Sequence, residues 1–421
     1  VPVFDRQPVS SIGAIAIQQS APDVVWVGTG EANPRNSAGV GRGVYRTRDG
    51  GETWDFLGLE ASERIHRIVL DPTDPDVAYV AALGPAWNDG TERGVFRTRD
   101  GGDTWERVLY VDERTGASGL IMDPSNPRHL IASTWEFRRW PWFFESGGPG
   151  SGIHTSWDGG TTWTEVPASA GLPEGDLGRI GLAWAESDPR VVYALAEAGR
   201  TALLRSDDGG RTWTTVHAEP GVSPRPFYFS DIEVDPSNEN RIFRVAGSLD
   251  MSEDGGRSFT TIGGWSSVHP DHHDLWVSPD GQMLVDANDG GIYISRGGGR
   301  TWRFVENIPV AQFYHLDVDM AVPFNVFGGL QDNGSWIGPS QVWESPSFRG
   351  STIMAHHWTS IGFGDGMRAV LLPDDPDFGF AQYQGGQITL FDQVTGTWKD
   401  TRPASPDPDR DLRFNWNAGI A

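Results

Sequence analysis

Cysteine is absent from the 421 residues, and lysine occurs once, at Lys399. The first absence excludes disulfides, thiolate metal ligands and a cysteine nucleophile. The second removes Schiff-base and P-loop lysine chemistry everywhere but that position. Arginine supplies the rest of the basic charge, a bias that reads most simply as genomic base composition. No run of 18 apolar residues occurs, so no stretch has the length of a transmembrane helix. Basic side chains number 33 against 57 acidic ones, a formal charge of −24. Nucleic acid and anionic membrane surfaces need clustered positive charge, so neither is an expected partner. No Ser–His–Asp pattern, P-loop or dinucleotide fingerprint is present, and no signal peptide opens the chain; Val1 reads as an internal start.

What is present is a repeat. It runs Thr47-Arg-Asp-Gly-Gly-Glu-Thr-Trp54, Thr98-Arg-Asp-Gly-Gly-Asp-Thr-Trp105, Ser156-Trp-Asp-Gly-Gly-Thr-Thr-Trp163 and Ser206-Asp-Asp-Gly-Gly-Arg-Thr-Trp213. Two further copies are Ser252-Glu-Asp-Gly-Gly-Arg-Ser-Phe259 and Ser295-Arg-Gly-Gly-Gly-Arg-Thr-Trp302. Asp-Gly-Gly between β-rich runs is hairpin chemistry, since glycine supplies the positive φ such turns need. The aspartates Asp49, Asp100, Asp158, Asp208 and Asp254 can accept hydrogen bonds from turn N–H groups and from the Ser/Thr hydroxyls. A strand precedes each copy, and a Pro-rich turn such as Asp71–Asp76 lies further upstream. Each unit therefore reads as four short antiparallel strands, which at this period means a β-propeller blade.

These segments are Asp boxes, and the chain resembles the Asp-box (BNR-repeat) propellers, among them sialidases, two-propeller xyloglucanases and the sortilin/Vps10 ectodomain. It resembles in particular the secreted bacterial sortilin-like BNR proteins often labelled glycosyl hydrolases. Supporting stretches are Val27 to Asn36, Ser146 to Gly152 and Gly328 to Trp336. The resemblance implies an all-β propeller and a secreted, periplasmic or cell-surface setting. Residues 1–400 are expected to hold about eight blade units, the last two (Phe313–Trp343 and Ile361–Trp398) without a clean Asp box. Residues 401–411 read as a linker and 412–421 as the start of a further blade. The chain is expected to be a fragment of a larger or tandem propeller, and Val1-Pro-Val-Phe4 resembles a fourth strand that completes the last blade.

The Asp boxes are expected to be structural, and in the resembling families they lie away from the active site. The opposite face collects the long loops Gly30–Arg42, Leu83–Arg93 and Thr134–Ser151, long enough to carry function. Glu31 is a candidate general acid or sugar-hydroxyl acceptor, with Arg35 and Asn36 of the same loop as candidate ligand contacts; the alternative is that Glu31 pairs with Arg35 to order the loop. Trp87, Trp140 and Trp142 can stack on sugar rings, with Arg138 and Arg139 holding a carboxylate, or the rings can form a satellite core. Asp289, Asp332 and Asp365 each stand beside glycine as turn residues or as further catalytic carboxylates facing Glu31. A glycosidase needs two carboxylates about 5 to 10 Å apart. In His269-Pro-Asp-His-His-Asp274, residues His269, Asp271 and His273 alternate onto one face, but the set is too small to specify a metal site, and channel lining is the expected role. No cofactor is expected; the acidic balance leaves calcium open without a motif for it.

Two functions follow. One is a carbohydrate-active propeller that binds a glycan and, as a further claim, hydrolyses it through Glu31, Asp289, Asp332 or Asp365. The other is a sortilin-like scaffold for a peptide or protein ligand, without catalysis. The first requires exposed, roughly coplanar Trp rings near a carboxylate. The second requires an apolar or Arg-lined pocket with no carboxylate pair at catalytic spacing. Neither the sialidase arginine set nor the xyloglucanase aspartate pair can be placed on this sequence residue by residue, and oligomeric state is not readable.

Overall fold

The computed structural model describes residues 2–35, 38–219, 221–229, 231–308, 310–343 and 353–420. The chain divides into two compact units, Val1–Asn288 with Tyr293–Arg303, and Asp289–Ile292 with Phe304–Ala421. Its regular structure is almost entirely antiparallel strand, and consecutive strands pair to form four-stranded sheets.

The first sheet holds β1 (Ile12–Ile17), β2 (Val25–Thr29), β3 (Val44–Thr47) and β4 (Asp55–Phe56), and the second β5 (Ile65–Leu70), β6 (Ala78–Ala82), β7 (Gly94–Thr98) and β8 (Glu106–Leu109). The third has an extra strand: β9 (Thr115–Asp123), β10 (Asn126–Arg139), β11 (Phe144–Ser146), β12 (Gly152–Ser156) and β13 (Thr164–Glu165). The fourth runs β14 (Ile180–Trp184), β15 (Val192–Ala196), β16 (Ala202–Ser206), β17 (Thr214–His217). The fifth runs β18 (Asp231–Asp235), β19 (Asn238–Val245), β20 (Leu249–Ser252), β21 (Thr260–Gly263), and the sixth β22 (His272–Val277), β23 (Leu284–Asn288), β24 (Gly291–Ser295), β25 (Arg303–Phe304). Two more sheets follow: β26 (Phe313–Val318), β27 (Asn325–Leu330), β28 (Gly334–Pro339), β29 (Thr359–Gly362), then β30 (Gly366–Leu372), β31 (Asp375–Tyr383), β32 (Gln387–Asp392), β33 (Thr397–Asp400). The expectation of propeller blades is borne out. Ile361 and Gly362, assigned by sequence to the eighth unit, belong instead to β29, which closes the seventh sheet.

The core lies between neighbouring blades. Trp26, Val44 and Ile65 of the first two sheets pack with Val80 and Phe96, and Ile131, Ile180 and Val192 pack between the third and fourth. In the second unit Phe327 and Ile337 pack against Leu371 and Phe391. Burial of such interleaved apolar faces, at ~25 cal/mol per Å² removed from water, is what makes each blade depend on its neighbour.

Each Asp box ties its hairpin the same way. In the first, Thr47 Oγ1 donates to Asp49 Oδ1 (2.6 Å) and accepts from Gly51 N (2.9 Å), while Thr53 donates to Asp49 through N (2.9 Å) and Oγ1 (2.6 Å). Asp100, Asp158 and Asp254 repeat this set. The glycines at 101 and 102 carry φ of 69° and 96°, which a side chain would strain. The first glycine's N–H then bonds the turn between the first two strands of its own blade: Gly50 to Asp23 O, Gly101 to Asp76 O, Gly159 to Arg128 O, Gly209 to Arg190 O, Gly255 to Asn240 O. Asp boxes and these turns therefore share a face, and the long loops between second and third strands leave from the opposite one. The sixth copy lacks the aspartate, yet Ser295 Oγ still accepts from Gly299 N at 2.9 Å.

Two closing tryptophans reach back to the preceding blade, Trp105 Nε1 donating to Leu57 O and Trp302 Nε1 to Ile262 O, whereas Trp213 Nε1 donates to Gly210 O of its own turn. Trp54 Nε1 donates to Val3 O, with Phe4 edge-on to its ring. The segment at 2–4 thus makes the contact of a fourth strand without strand pairing. Residues 401–420 carry no strand, so the inner strand expected at 412–421 is not formed among the described residues. Phe414 packs on Gly386 instead, and Trp416 Nε1 donates to Asp365 Oδ2.

Candidate functional site

The third long loop is largely a strand. β10 pairs with β12 as far as Thr134 and with β9 as far as Glu136, then continues and turns back through β11, with Phe137 opposite Ser146 and Arg139 opposite Phe144. Alternation then sorts an aromatic-rich run into two faces. Trp135 and Phe137 are fully buried, stacked at 4.4 Å, and pack with Ala32, Leu83, Ala86, Phe144 and Phe227. That is the satellite core, but only for one face. Arg138 and Trp140 lie on the other, the guanidinium 5.1 Å from the indole and hydrogen-bonded to Asp89. At the tip, Trp140 N donates to Phe143 O, closing a tight turn that leaves Trp142 77% exposed. The Trp140 ring lies 6.3 Å from Trp142 at 25° and 6.0 Å from Phe143 at 18°, while Trp142 and Phe143 are tilted by 42°; Trp142 and Phe143 are exposed and Trp140 is half-buried. Trp87, also exposed, follows the buried Ala86, whose carbonyl accepts from Arg139 N.

In the first loop, Glu31 Oε2 accepts from Gly39 N at 2.9 Å and Glu31 N donates to Gly39 O. Glu31 orders its loop through Gly39 rather than through Arg35, which lies 5.4 Å over the Tyr228 ring. Asn36 falls outside the described residues.

The histidine segment divides its members. His272 is fully buried with Nδ1 2.8 Å from Asp286 Oδ1, so that imidazole is committed to the blade. His273 faces the other way, against the Tyr228 and Phe229 rings at 5.7 and 5.6 Å.

The inner strands carry an ionic set that the sequence reading missed. Arg67 of β5 pairs with Asp231 of β18 at 2.7 Å, beside Glu233 and Asp274. Burial, reinforced by the Asp274 carboxylate and opposed by Arg67, pushes Glu233 up to about 8. Alternation of Asp231 and Glu233 about Ile232 was the available signal; their partner sits 164 residues away.

The second unit gathers all three aspartates singled out beside glycine. Asp332 N donates to Asp365 Oδ1 (3.0 Å), Asp365 N donates to Gln384 Oε1, and Asn333 Nδ2 donates to Asp289 O. Carboxylate oxygens of Asp289 and Asp332 lie within 4.8 Å of one another. Burial first, then hydrogen bonding to Asp365 and the charges of Asp365 and Asp289, pushes Asp332 up to about 7. Asp332 sits at φ 57°, a conformation Asp and Asn tolerate better than most residues. Neighbouring negative charge disfavours the ionised form, so Asp332 is an acid near neutral pH. Glu31 belongs to the first unit and these aspartates to the second.

Among the described residues no helix is long and apolar enough to cross a membrane. The Sortilin-Vps10 family model (sortilin, neurotensin receptor 3) matches residues 42–174. A xyloglucanase of a Paenibacillus species is 25% identical over 341 residues, covering 68% of this chain and 32% of the relative. The xyloglucanase of Acetivibrio thermocellus is 27% identical over 286 residues, covering 62% of this chain and 28% of that protein. The chain thus spans about a third of the length of the curated relatives it matches. Among solved structures, the GH74 xyloglucanase of Xanthomonas campestris aligns at TM-score 0.43 and 16% identity over 96% of this chain and 67% of that one. YCF48 of Cyanidioschyzon merolae aligns at TM-score 0.47 and 18% identity over 76% and 93%. The strand order and the box hydrogen bonds carry the fold assignment: the chain is an Asp-box β-propeller protein that resembles the Sortilin-Vps10 family and the xyloglucanases.

Proposed function

We propose that this protein is a secreted, glycan-binding propeller that grips a polysaccharide on the aromatic tip of β10. The carrying observation is the exposed pair Trp142 and Phe143, each within 25° of the plane of the half-buried Trp140 and held by a buried face of Trp135 and Phe137. Flat apolar rings suit the faces of pyranose sugars, and the adjacent Arg138–Asp89 pair offers donors and an acceptor for hydroxyls. Its relatives are xyloglucanases, so xyloglucan is the first ligand to try. A polysaccharide ligand of this kind lies outside the cell, which is the reason for reading the protein as secreted.

Hydrolysis is a separate claim with less behind it. A glycosidase sets one carboxyl group on each side of the scissile bond, about 5–5.5 Å apart when retaining and about 6.5–9.5 Å when inverting. The charges of Asp289 and Asp365 help to raise Asp332, so the cluster furnishes an acid but not, by itself, the opposed carboxyl group. Of the three, Asp332 is the carboxyl group suited to donate at neutral pH.

Migration through a gel containing xyloglucan, alongside reducing-sugar release, tests both claims. Retardation of the wild type that Trp142→Ala removes supports the binding reading, and free migration of the wild type through every glycan tried contradicts it. Sugar release that Asp332→Asn abolishes while retardation persists makes Asp332 the acid; release unchanged in that variant removes it from the chemistry.

A further inference from the structure

A small cavity on the first blade has the make-up of a second binding site. Its position follows from strand register. Ile15, Val27, Tyr45 and Phe56 stand opposite one another across β1 to β4, so they share a face. Ala14, Ala16, Trp26 and Val44 lie on the other face and pack toward the second blade. The segment ahead of β1 crosses the Tyr45 face: Phe4 stands edge-on to the Tyr45 ring at 5.4 Å, and Gln7 N donates back to Phe4 O. What that segment leaves uncovered is a cavity of about 280 Å³, lined by Gln7, Pro8, Arg42, Tyr45, Phe56 and Glu60.

The floor of the cavity is aromatic. The Tyr45 and Phe56 rings lie 5.3 Å apart, tilted by 51°, and Phe56 is exposed. The rim is polar and carries both signs of charge, Arg42 Nε standing 3.5 Å from Glu60 Oε1. Arg42 is anchored by its backbone N–H, which donates to Thr29 Oγ1 at 2.7 Å, and Glu60 opens the single 3-10 turn Glu60–Ser62. Tyr45 is the residue that marks the cavity as a site. It is only 4% exposed, yet among the described residues its hydroxyl makes no hydrogen bond. Burial raises its pKa, with Arg42 opposing and Glu60 reinforcing, which sets the hydroxyl within reach of both rim charges and toward the cavity all three line. A phenol so deeply buried costs free energy unless something in the cavity bonds to it.

We infer that this cavity binds a single neutral pyranose ring, at a site separate from the aromatic tip of β10. A pyranose offers an apolar face to Tyr45 and Phe56, and hydroxyls that both donate and accept. Arg42 donates, Glu60 accepts and the Tyr45 hydroxyl does either. The opposed charges of the rim offset each other, which favours a neutral ligand over an anion or a cation. Sites for drug-sized ligands run from about 300 to 1,000 Å³, so this smaller cavity takes one ring rather than a chain. The site does not depend on the glycan reading of the tip.

Saturation-transfer NMR with methyl glucoside and methyl xyloside, titrated into the wild type and into Trp142→Ala, tests the assignment. Binding is expected in both proteins. It is expected to fall by roughly tenfold or more in Phe56→Ala and in Glu60→Gln. Both positions are exposed, so these variants keep the fold. Tyr45→Phe, which removes the hydroxyl alone, is expected to weaken binding severalfold with an unchanged melting temperature. No saturation transfer to either glycoside in the wild type overturns the site, as does binding that Phe56→Ala and Glu60→Gln leave intact. Binding lost in Trp142→Ala and kept in the other variants belongs to the tip and overturns it equally. Binding of free proline at these residues, without glycoside binding, overturns the ligand class.

Discussion

A carboxylate and the Thr four residues after it set the acid behaviour of the blades. The Thr104 hydroxyl leads in holding Asp100 at about 2, and the Thr162 N–H leads in holding Asp158 at about 2, against an ordinary 3.8. A carboxyl lowered on folding contributes stability that is complete above its unfolded value and lost as pH falls toward the folded one. Thermal melts are therefore expected to drop between pH 4 and pH 2, and Asp100→Asn with Asp158→Asn to flatten that slope; an unchanged slope contradicts the assignment. Asp332 has the opposite sign. Raised to about 7 from 3.8, it favours the folded chain most below pH 3.8, and that contribution is lost as pH climbs to 7. Asp332→Asn is compatible with the backbone at φ 57°. Its melting temperature is expected to gain on the wild type from pH 4 to pH 7 and to hold that gain above it. A constant difference across the range would mean that Asp332 keeps an ordinary pKa.

β10 sets the limit of what its own sequence disclosed. The Asp boxes were legible because their chemistry is local: donors and acceptors lie within four residues of the aspartate, so the motif is its own evidence of a hairpin. The run from Trp135 to Phe144 was read as a loop, since unbroken aromatics and arginines show no period until a partner strand fixes which face is buried. Once β9, β11 and β12 are paired to it, Trp135 and Phe137 go to the core, Trp140 is half-buried and Trp142 goes to solvent. Substitutions are expected to separate these roles. Trp135→Ala leaves a cavity among Leu83, Ala86 and Phe137 and is expected to cost about 3–5 kcal/mol in denaturant titration. Trp142→Ala, 77% exposed, is expected to leave the midpoint unmoved. Equal costs at both positions would contradict the two-faced reading.

At the scale of the whole molecule, the repeat announced the blades, while the contacts between charged groups were hidden by distance along the chain. Arg67 meets Asp231 164 residues away, and Asp332 meets Asp365 33 residues away. Composition does constrain the ligand. A net charge of −24 repels polyanions at long range, so binding by the aromatic tip should rest on apolar stacking and short hydrogen bonds and vary little with salt. Calorimetric titration of a xyloglucan oligosaccharide into the wild type and Trp142→Ala, at low and at physiological salt, tests this most directly. The expected result is binding by the wild type at both salts and a loss of roughly tenfold or more in the variant, about 1.4 kcal/mol. Wild-type affinity carried over intact into Trp142→Ala would contradict the account.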